Sequence, residues 1–193
     1  GEYRRSLVLL MGAIFCWFVG YNAVETFLSS YGVAVLKVPE NRAALLMGVA
    51  QITFIIFAIP SGFIAGRFGR KRTILTWLAI FSVLLVVAYF VPSYWVIAAL
   101  LGLGGMAWAL VNINSLPMIV DIAPTAVLLG TYTGLYYLAS QLAAVTGPIL
   151  NGIVIDATGR NFNMIFFVAP FFFVLAMLCM LGVTRGEAMP SVE

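Results

Sequence analysis

Six apolar stretches, each long enough to cross a lipid bilayer, fill most of this 193-residue chain. They lie at about 7–30, 43–65, 73–91, 95–120, 127–155 and 163–183. A membrane-spanning helix needs about 20 predominantly apolar residues, so six spans leave only short loops and tails. The apolar runs are continuous and do not alternate at every second residue, which favours helices over a barrel. The sequence therefore predicts an all-α membrane protein, a single six-helix transmembrane bundle over residues 1–193.

The composition excludes a soluble domain. Hydrophobic residues make up 63% of the chain and charged residues 9%, whereas about a quarter of the residues of a soluble domain are charged. Lipid is therefore the solvent expected for this surface. The net charge of +3 does not indicate a nucleic-acid partner, because the basic residues cluster at the ends of the spans.

The residue types needed for enzyme chemistry are missing or scattered. The chain has no histidine, its carboxylates are dispersed, and neither a GxSxG nor an HExxH pattern occurs. Its two cysteines, Cys16 and Cys179, both lie inside apolar spans, where they act as small apolar side chains. We therefore expect no enzyme activity, no metal site and no cofactor.

The basic residues predict the orientation of the bundle. Basic side chains concentrate on the cytoplasmic side of membrane helices. An even number of spans places both chain ends on one side, and with that side cytoplasmic, seven basic residues lie inside and three outside. The inside set is Arg4, Arg5, Arg67, Arg70, Lys71, Arg72 and Arg185, and the outside set is Lys37, Arg42 and Arg160. We expect both termini to be cytoplasmic.

Small residues recur at a spacing that is typical of helix contacts in membranes. Gly62 and Gly66 form one GxxxG pair, and Gly130 and Gly134 form another. This spacing lets the backbones of two helices approach closely in lipid. We therefore expect both pairs to lie at contacts between helices.

The junction between the second and third spans resembles a known signature. Residues 62–72 read GFIAGRFGRKR and are similar to the loop between the second and third helices of each six-helix half of the major facilitator superfamily. That signature has a glycine, three residues, an acidic residue, an arginine, a spacer, a glycine and then basic residues. The acidic position is Gly66 here, a loss that is usual in the carboxy-terminal half. The resemblance covers nearly the whole chain and implies the carboxy-terminal half of a twelve-helix transporter.

Three further segments narrow the resemblance. They read YNAVETFLSSYG, GMAWALVNINSLPMIVDIAP and GTYTGLYYLASQLAAVTGPI, and are similar to the branch near bacterial sucrose-type and glycoside–pentoside–hexuronide cation symporters. The resemblance implies alternating-access transport of a small solute, a sugar or glycoside, with symport of a proton or, as the alternative, sodium. It also implies the bacterial inner membrane, the plasma membrane of the cell, with lipid as a partner.

Two other functions are left open by the sequence. One is efflux of a drug-like compound or metabolite by an antiporter. The other is an inactive fragment or scaffold that needs its amino-terminal half. The chain begins at Gly1 without an initiator methionine, so we expect a piece of a longer protein. Six helices line only one side of such a pathway, and the partner is then an amino-terminal half or a second copy of the chain.

Polar side chains within the first span are candidates for the transport site. An ionisable group at the centre of a membrane helix costs about 3 kcal/mol on insertion scales, which marks it as a functional candidate. Glu25 is the only carboxylate well inside a predicted span, and Asn22, Thr26 and Ser29 share its helical face. We expect Glu25 to take up the coupling proton or to bind a substrate hydroxyl, with Asn22 beside it. A structural carboxylate bonded to a neighbouring helix is the alternative.

The fifth span carries a second polar stripe. Thr133, Tyr137 and Gln141 recur at helical spacing, and Tyr136 lies on the adjoining face. Hydroxyls and amides among aromatic rings suit a sugar, whose faces stack while its hydroxyl groups form hydrogen bonds. The predicted substrate site also includes Gln51 on the second span and Trp108 and Asn112 on the fourth. Hydrogen bonding between helices explains any single member equally well.

The basic junction has a different predicted role. Arg67 and Arg70 lie at the cytoplasmic edge, and Asp121 ends the fourth span at the same edge. In the superfamily, an arginine of this loop pairs with an acidic residue at that helix end. The resemblance therefore implies a conformational latch of Arg67, Arg70 and Asp121, with an Arg70–Asp121 ion pair at its centre. Anchoring at lipid headgroups is the alternative.

Overall fold

Residues 2–187, the part of the chain that the computed structural model describes, form six long helices. The helices are α1 (Glu2–Ala34), α2 (Glu40–Phe68), α3 (Arg70–Phe90), α4 (Tyr94–Val120), α5 (Leu129–Ala157) and α6 (Ile165–Leu181). Short 3-10 turns at Ala126–Leu128 and Phe162–Met164 precede α5 and α6. All six helices are long and apolar enough to cross a membrane. The predicted all-α fold with six spans is confirmed.

Turn residues set the ends of the helices at the α2–α3 junction. Gly69 is the single residue between the two helices and has a φ of 90°, a left-handed conformation that glycine adopts without a Cβ clash. Its N–H donates to the carbonyl of Ala65, which extends the hydrogen bonding of α2. Two membrane-length helices therefore meet at a sharp corner, and the basic residues that follow Gly69 are held at the edge of the bundle.

α1 and α4 are the helices that organise the packing. α1 packs against α2, α5 and α6, whereas α4 packs against α2, α3 and α5. The closest approaches occur at glycines. A Cβ on Gly105 of α4 would clash with the Ala50 carbonyl of α2, and a Cβ on Gly147 of α5 would lie 2.7 Å from the Val19 carbonyl of α1. These contacts bring the candidate site residues of α1, α2, α4 and α5 together.

The two GxxxG pairs do not mark these approaches. A Cβ at Gly62, Gly66, Gly130 or Gly134 would meet no neighbouring atom within 4 Å, and all four glycines are exposed. The prediction that they lie at helix contacts is therefore wrong within the bundle formed by residues 2–187. A small residue permits a close approach, but the facing helix must also be present.

Exposed apolar stripes run along α2 and α5. The stripe on α2, 60 to 77% exposed, comprises Ile52, Ile55, Ile56, Ile59 and Phe63. The stripe on α5, 53 to 62% exposed, comprises Leu138, Leu142, Val145, Ile149 and Ile153. At 100° per residue, the polar stripe of Thr133, Tyr137 and Gln141 lies between the buried face of α5 and its apolar stripe. The polar residues thus border surface that lipid or a second protein body must cover.

Candidate functional site

Aromatic rings from three helices form the centre of the candidate site. The ring of Trp108 on α4 stacks on that of Tyr21 on α1, with centroids 4.1 Å apart and planes 4° from parallel. Phe18 contacts Trp108 edge to face at 5.3 Å and contacts Tyr136 of α5 at 6.2 Å. Such pairs contribute about 0.5 to 1.5 kcal/mol each beyond the area that they bury. These four rings, named the aromatic wall below, hold α1, α4 and α5 in register.

Polar side chains bind the hydroxyl groups of this wall. Nε2 of Gln51 on α2 donates to the Tyr21 hydroxyl at 3.2 Å. The Tyr136 hydroxyl lies 3.3 Å from Oγ of Ser115 on α4. The buried ends of both tyrosines are thereby satisfied, as buried hydroxyls require. The structure thus brings the four helices that carry predicted site residues, α1, α2, α4 and α5, together around one aromatic surface.

A small cavity lies against the stacked pair of Tyr21 and Trp108. Its volume is about 20 Å³, and its lining includes Glu25 of α1, Ala50 of α2 and Gly105 of α4. A cavity of this size holds about one water molecule, whereas sites for small ligands usually measure about 300 to 1,000 Å³. This cavity is therefore too small to enclose a small ligand.

Glu25 lies at the edge of this cavity and is exposed. It is nine residues from Ala34, the last residue of α1, which places it about 14 Å from that helix end. No hydrogen bond to its carboxylate is formed by any other residue within 2–187, in contrast to the alternative of a carboxylate bonded to a neighbouring helix. An ionisable side chain at this depth without a partner is costly in lipid.

Asn22 and Asn112, the remaining predicted site residues on α1 and α4, lie in different surroundings. Asn22 donates from Nδ2 to the carbonyl of Phe18 at 2.7 Å, within its own helix, and it lies at the α1–α5 contact beside Gly147. Asn22 does not line the small cavity. Asn112 is half-buried and shares the face of α4 that carries Trp108, one helical turn away.

The stripe on α5 continues from the aromatic wall to the surface of the bundle. The rings of Tyr136 and Tyr137 are 5.3 Å apart, but Tyr136 is 6% exposed and Tyr137 is 52% exposed. Gln141, one turn further along, is also exposed, and Thr133 is half-buried. The face that carries these residues is polar, aromatic and open.

Phe18 and Tyr21 of the aromatic wall, and Ser115 beside it, are residues of the candidate site that the sequence reasoning missed. Phe18 and Tyr21 precede Glu25 at i−7 and i−4, on the same face of α1. Ser115 follows Trp108 at i+7 on α4. Helical spacing from the residues already chosen was therefore the signal that could have found all three.

The α2–α3 junction, the end of α4 and the segment after α6 meet at one edge of the bundle, named the basic edge below. Nη1 of Arg70 forms a hydrogen-bonded ion pair with Oδ2 of Asp121. This pair joins the start of α3 to the end of α4. Arg67 is not part of it, since its guanidinium is exposed and lies 5.8 Å from the ring centroid of Phe68.

A second carboxylate at the basic edge comes from Glu187. Its two oxygens accept hydrogen bonds from the backbone N–H groups of Arg70 at 2.8 Å and Lys71 at 2.9 Å. These N–H groups belong to the first turn of α3, where no partner exists within the helix and negative charge is favoured. The missing acidic residue at Gly66 was the signal that could have prompted a search for such a carboxylate elsewhere in the chain.

The segment 183–187, named the strap below, connects further helix ends. Nζ of Lys71 donates to the carbonyl of Val183 in the strap at 2.5 Å and to that of Leu181 at the end of α6 at 2.9 Å. Nη2 of Arg185 lies 3.1 Å from Oε2 of Glu2 at the start of α1, and this hydrogen bond raises the pKa of Arg185 above its ordinary value. The strap therefore ties the starts of α1 and α3 to the end of α6.

Six membrane-length helices place the chain in the class of helical membrane proteins. The model of the Major Facilitator Superfamily matches residues 10–192, and the chain belongs to this superfamily. Members of the superfamily are transporters and not enzymes.

Curated relatives are varied members of the superfamily. The chain is 30% identical to the inner membrane transport protein YajR of Escherichia coli over 155 residues, which cover 78% of this chain and 33% of YajR. It is 29% identical to human monocarboxylate transporter 6 over 188 residues, covering 91% and 35% of the two chains. The chain thus spans about a third of the length of these relatives. Together they support the superfamily and no particular branch of it.

Solved structures share the fold at low sequence identity. A POT family transporter in complex with a thioalcohol-conjugated peptide superimposes with a TM-score of 0.81 at 18% identity, over 92% of this chain and 37% of that one. The E. coli fucose:proton symporter FucP superimposes with a TM-score of 0.77 at 14% identity, over 97% and 51%. These similarities show the six-helix fold of a major facilitator transporter.

Proposed function

We propose that this bundle is the carboxy-terminal half of a transporter that carries a sugar or glycoside by alternating access with proton symport. The observation that carries the proposal is the open polar face. Glu25, Tyr137 and Gln141 are exposed on helices that are otherwise apolar. Hydrocarbon satisfies neither a carboxylate nor an amide. A second six-helix body over this face covers these groups and encloses a pathway between the two halves.

Tyr137, whose ring is exposed beside the buried Tyr136 of the aromatic wall, supports a sugar as the solute. Sugar rings stack on aromatic faces, while their hydroxyl groups need donors and acceptors at fixed positions. Gln51 and Asn112 supply amides beside the stacked pair of Tyr21 and Trp108, and Gln141 supplies a third on α5. The small cavity between α1, α2 and α4 then corresponds to the innermost part of a larger site.

Glu25 is the proposed proton carrier. Within residues 2–187 its carboxylate has no bound partner, so it is free to bind a proton or a solute hydroxyl when the pathway admits water. No other carboxylate lies well inside a span. Protonation removes the charge whose burial is costly, which couples proton uptake to closure of the two halves over this face.

The basic edge is proposed to act as the conformational latch. The Arg70–Asp121 pair joins α3 to the end of α4, and the Glu187 cap joins α3 to the segment after α6. A movement of α3 relative to α4 breaks the pair, and a movement of α3 relative to that segment breaks the cap. Because two carboxylates, those of Asp121 and Glu187, bind the start of α3, the latched conformer is more stable than with the ion pair alone. With the positive-inside rule, this edge and both chain ends lie in the cytoplasm.

The test of this function uses proteoliposomes that contain the chain together with its proposed amino-terminal half. We expect an inward proton gradient to drive uptake of a labelled sugar from a panel of mono- and disaccharides. Glu25→Gln is expected to abolish accumulation driven by the gradient, because glutamine cannot take up the proton. Accumulation by the Glu25→Gln protein at the parental level contradicts the coupling role, and uptake by the chain without a second body contradicts the half-transporter proposal.

Efflux of drug-like compounds is the second candidate function. The chain is 26% identical over 131 residues to the multidrug resistance protein Stp of Mycobacterium tuberculosis, covering 68% of this chain and 24% of Stp. The same proteoliposomes distinguish the two functions. An inward proton gradient that expels a preloaded cationic dye, with no sugar accumulation, favours efflux.

A further inference from the structure

We propose that a groove between α2 and α3 at the basic edge binds the phosphate of an anionic phospholipid. The groove has a volume of about 500 Å³. Its lining residues are Ile64, Arg67, Phe68, Arg72, Thr73, Thr76 and Trp77. It shares no residue with the aromatic wall, with the Arg70–Asp121 ion pair or with the Glu187 cap.

The structure divides the four basic residues of the junction into two pairs. Arg70 is bound to Asp121, and Lys71 is bound to backbone carbonyls at the end of α6. Arg67 and Arg72 are exposed and form no ion pair with any residue in the described range 2–187. Both of them line the groove. Of the three arginines at the junction, the two that bind no protein carboxylate therefore both line the groove.

The groove is basic near the helix ends and more apolar further into the span, which matches the two parts of an amphiphilic ligand. Arg67 and Arg72 lie next to the corner at Gly69, at the ends of α2 and α3. Trp77 lies five residues beyond Arg72, about 7.5 Å further along α3 towards the middle of the span. Ile64 is about one turn inward from Arg67 on α2. The two guanidinium groups thus lie at the helix ends, with Phe68 beside them, and Ile64 and Trp77 extend the lining into the span.

This arrangement fits a phospholipid better than a free anion. Arginine binds phosphate oxygens through two parallel N–H donors, and tryptophan prefers the level of the headgroups. A free phosphate needs only the two arginines, whereas the apolar end of the groove matches the start of an acyl chain. The basic edge also lies at a membrane surface, where anionic lipid is concentrated.

The test is native mass spectrometry of the detergent-solubilised chain with phosphatidylglycerol or phosphatidylcholine added. The parental chain is expected to bind phosphatidylglycerol in preference to phosphatidylcholine. Arg67→Gln with Arg72→Gln is expected to weaken phosphatidylglycerol binding about thirtyfold, which corresponds to about 1 kcal/mol for each arginine near an anionic surface. Arg4→Gln with Arg5→Gln is the matched control, because it removes the same charge from the first turns of α1, outside the groove. This control is expected to leave binding unchanged.

Four results would overturn the proposal. Equal loss of binding in both glutamine variants assigns the effect to net charge. Equal binding of the two lipids by the parental chain removes the anionic specificity. Displacement of phosphatidylglycerol by an equimolar amount of inorganic phosphate assigns the groove to the free anion. If the glutamine variant does not fold, Arg67→Lys with Arg72→Lys is the second variant, because it keeps the charge. This variant is expected to bind phosphatidylglycerol several-fold more weakly than the parental chain, since lysine lacks the two parallel N–H donors of arginine. Undiminished binding of phosphatidylglycerol by the lysine variant contradicts the proposal.

Discussion

The open polar face and the basic edge use polar residues in opposite ways. At the basic edge, Arg70, Lys71 and Glu187 all find partners within the chain. On the polar face, Glu25 borders a cavity for a single water, and Tyr137 remains 52% exposed. The Arg70–Asp121 pair and the Glu187 cap are therefore satisfied within residues 2–187, whereas the carboxylate of Glu25 is not. This difference is the basis of the proposal that a second body covers the polar face and not the basic edge.

The largest expected effect is on the stability of the bundle. It tests whether the aromatic wall holds the helices together in addition to bordering the open polar face. Trp108 is 4% exposed and contacts the rings of Phe18 and Tyr21. Trp108→Ala is expected to lower the free energy of unfolding by about 3 kcal/mol, the low end of the range for losing a large buried aromatic. Reversible unfolding in mixed micelles with increasing sodium dodecyl sulfate measures this change.

The matched control for this substitution is Trp95→Ala. Trp95 is also on α4 but is 78% exposed, so its loss is expected to change stability by less than about 0.5 kcal/mol. Equal effects of the two substitutions would show that the wall does not hold the helices together.

An intermediate effect tests the cap at the basic edge. Glu187→Ala removes the acceptor of the Arg70 and Lys71 N–H groups and is expected to cost about 1 kcal/mol, as for the loss of a helix cap. Hydrogen exchange at these two amides is expected to accelerate. Glu40→Ala, in the first turn of α2, is the matched control and is expected to leave the exchange of both amides unchanged. If exchange stays slow in the Glu187→Ala protein, the carboxylate does not cap α3.

The smallest expected effect concerns the Arg70–Asp121 ion pair. A double-mutant cycle of Arg70→Gln and Asp121→Asn is expected to give a coupling energy of about 0.5 to 1 kcal/mol, because both side chains are partly exposed. The more exposed pair of Arg185 and Glu2 is expected to give no measurable coupling. A coupling no greater for Arg70 and Asp121 than for the surface pair would remove the latch from the account.

The spans and the position of the basic junction could be predicted from the sequence, because both depend on local composition. Continuous apolar windows define α1 to α6 without knowledge of their neighbours. The Arg70–Asp121 contact followed from the family resemblance and not from the residues alone. Its role as a latch is still a proposal.

Features that depend on which helices meet could not be predicted in the same way. The stacking of Tyr21 on Trp108 joins residues 87 positions apart (108 − 21), and the Glu187 cap joins the last described segment to α3. Likewise, the glycines at Gly105 and Gly147 pack closely although they belong to neither GxxxG pair. In each of these cases the deciding factor is the facing helix, which single-helix patterns do not specify.

The most direct measurement of the central claim is the reactivity of the polar face towards a water-soluble maleimide. Cys16 and Cys179 are first replaced by alanine, and the chain is produced in membranes together with its proposed amino-terminal half. Gln141→Cys is expected to react, and an added transported sugar is expected to slow the reaction, because the side chain lines an aqueous pathway. Leu142→Cys, its neighbour on the exposed apolar stripe, is expected to stay unreactive. Equal reactivity at the two positions, with no protection by sugar, would contradict a solute pathway on this face.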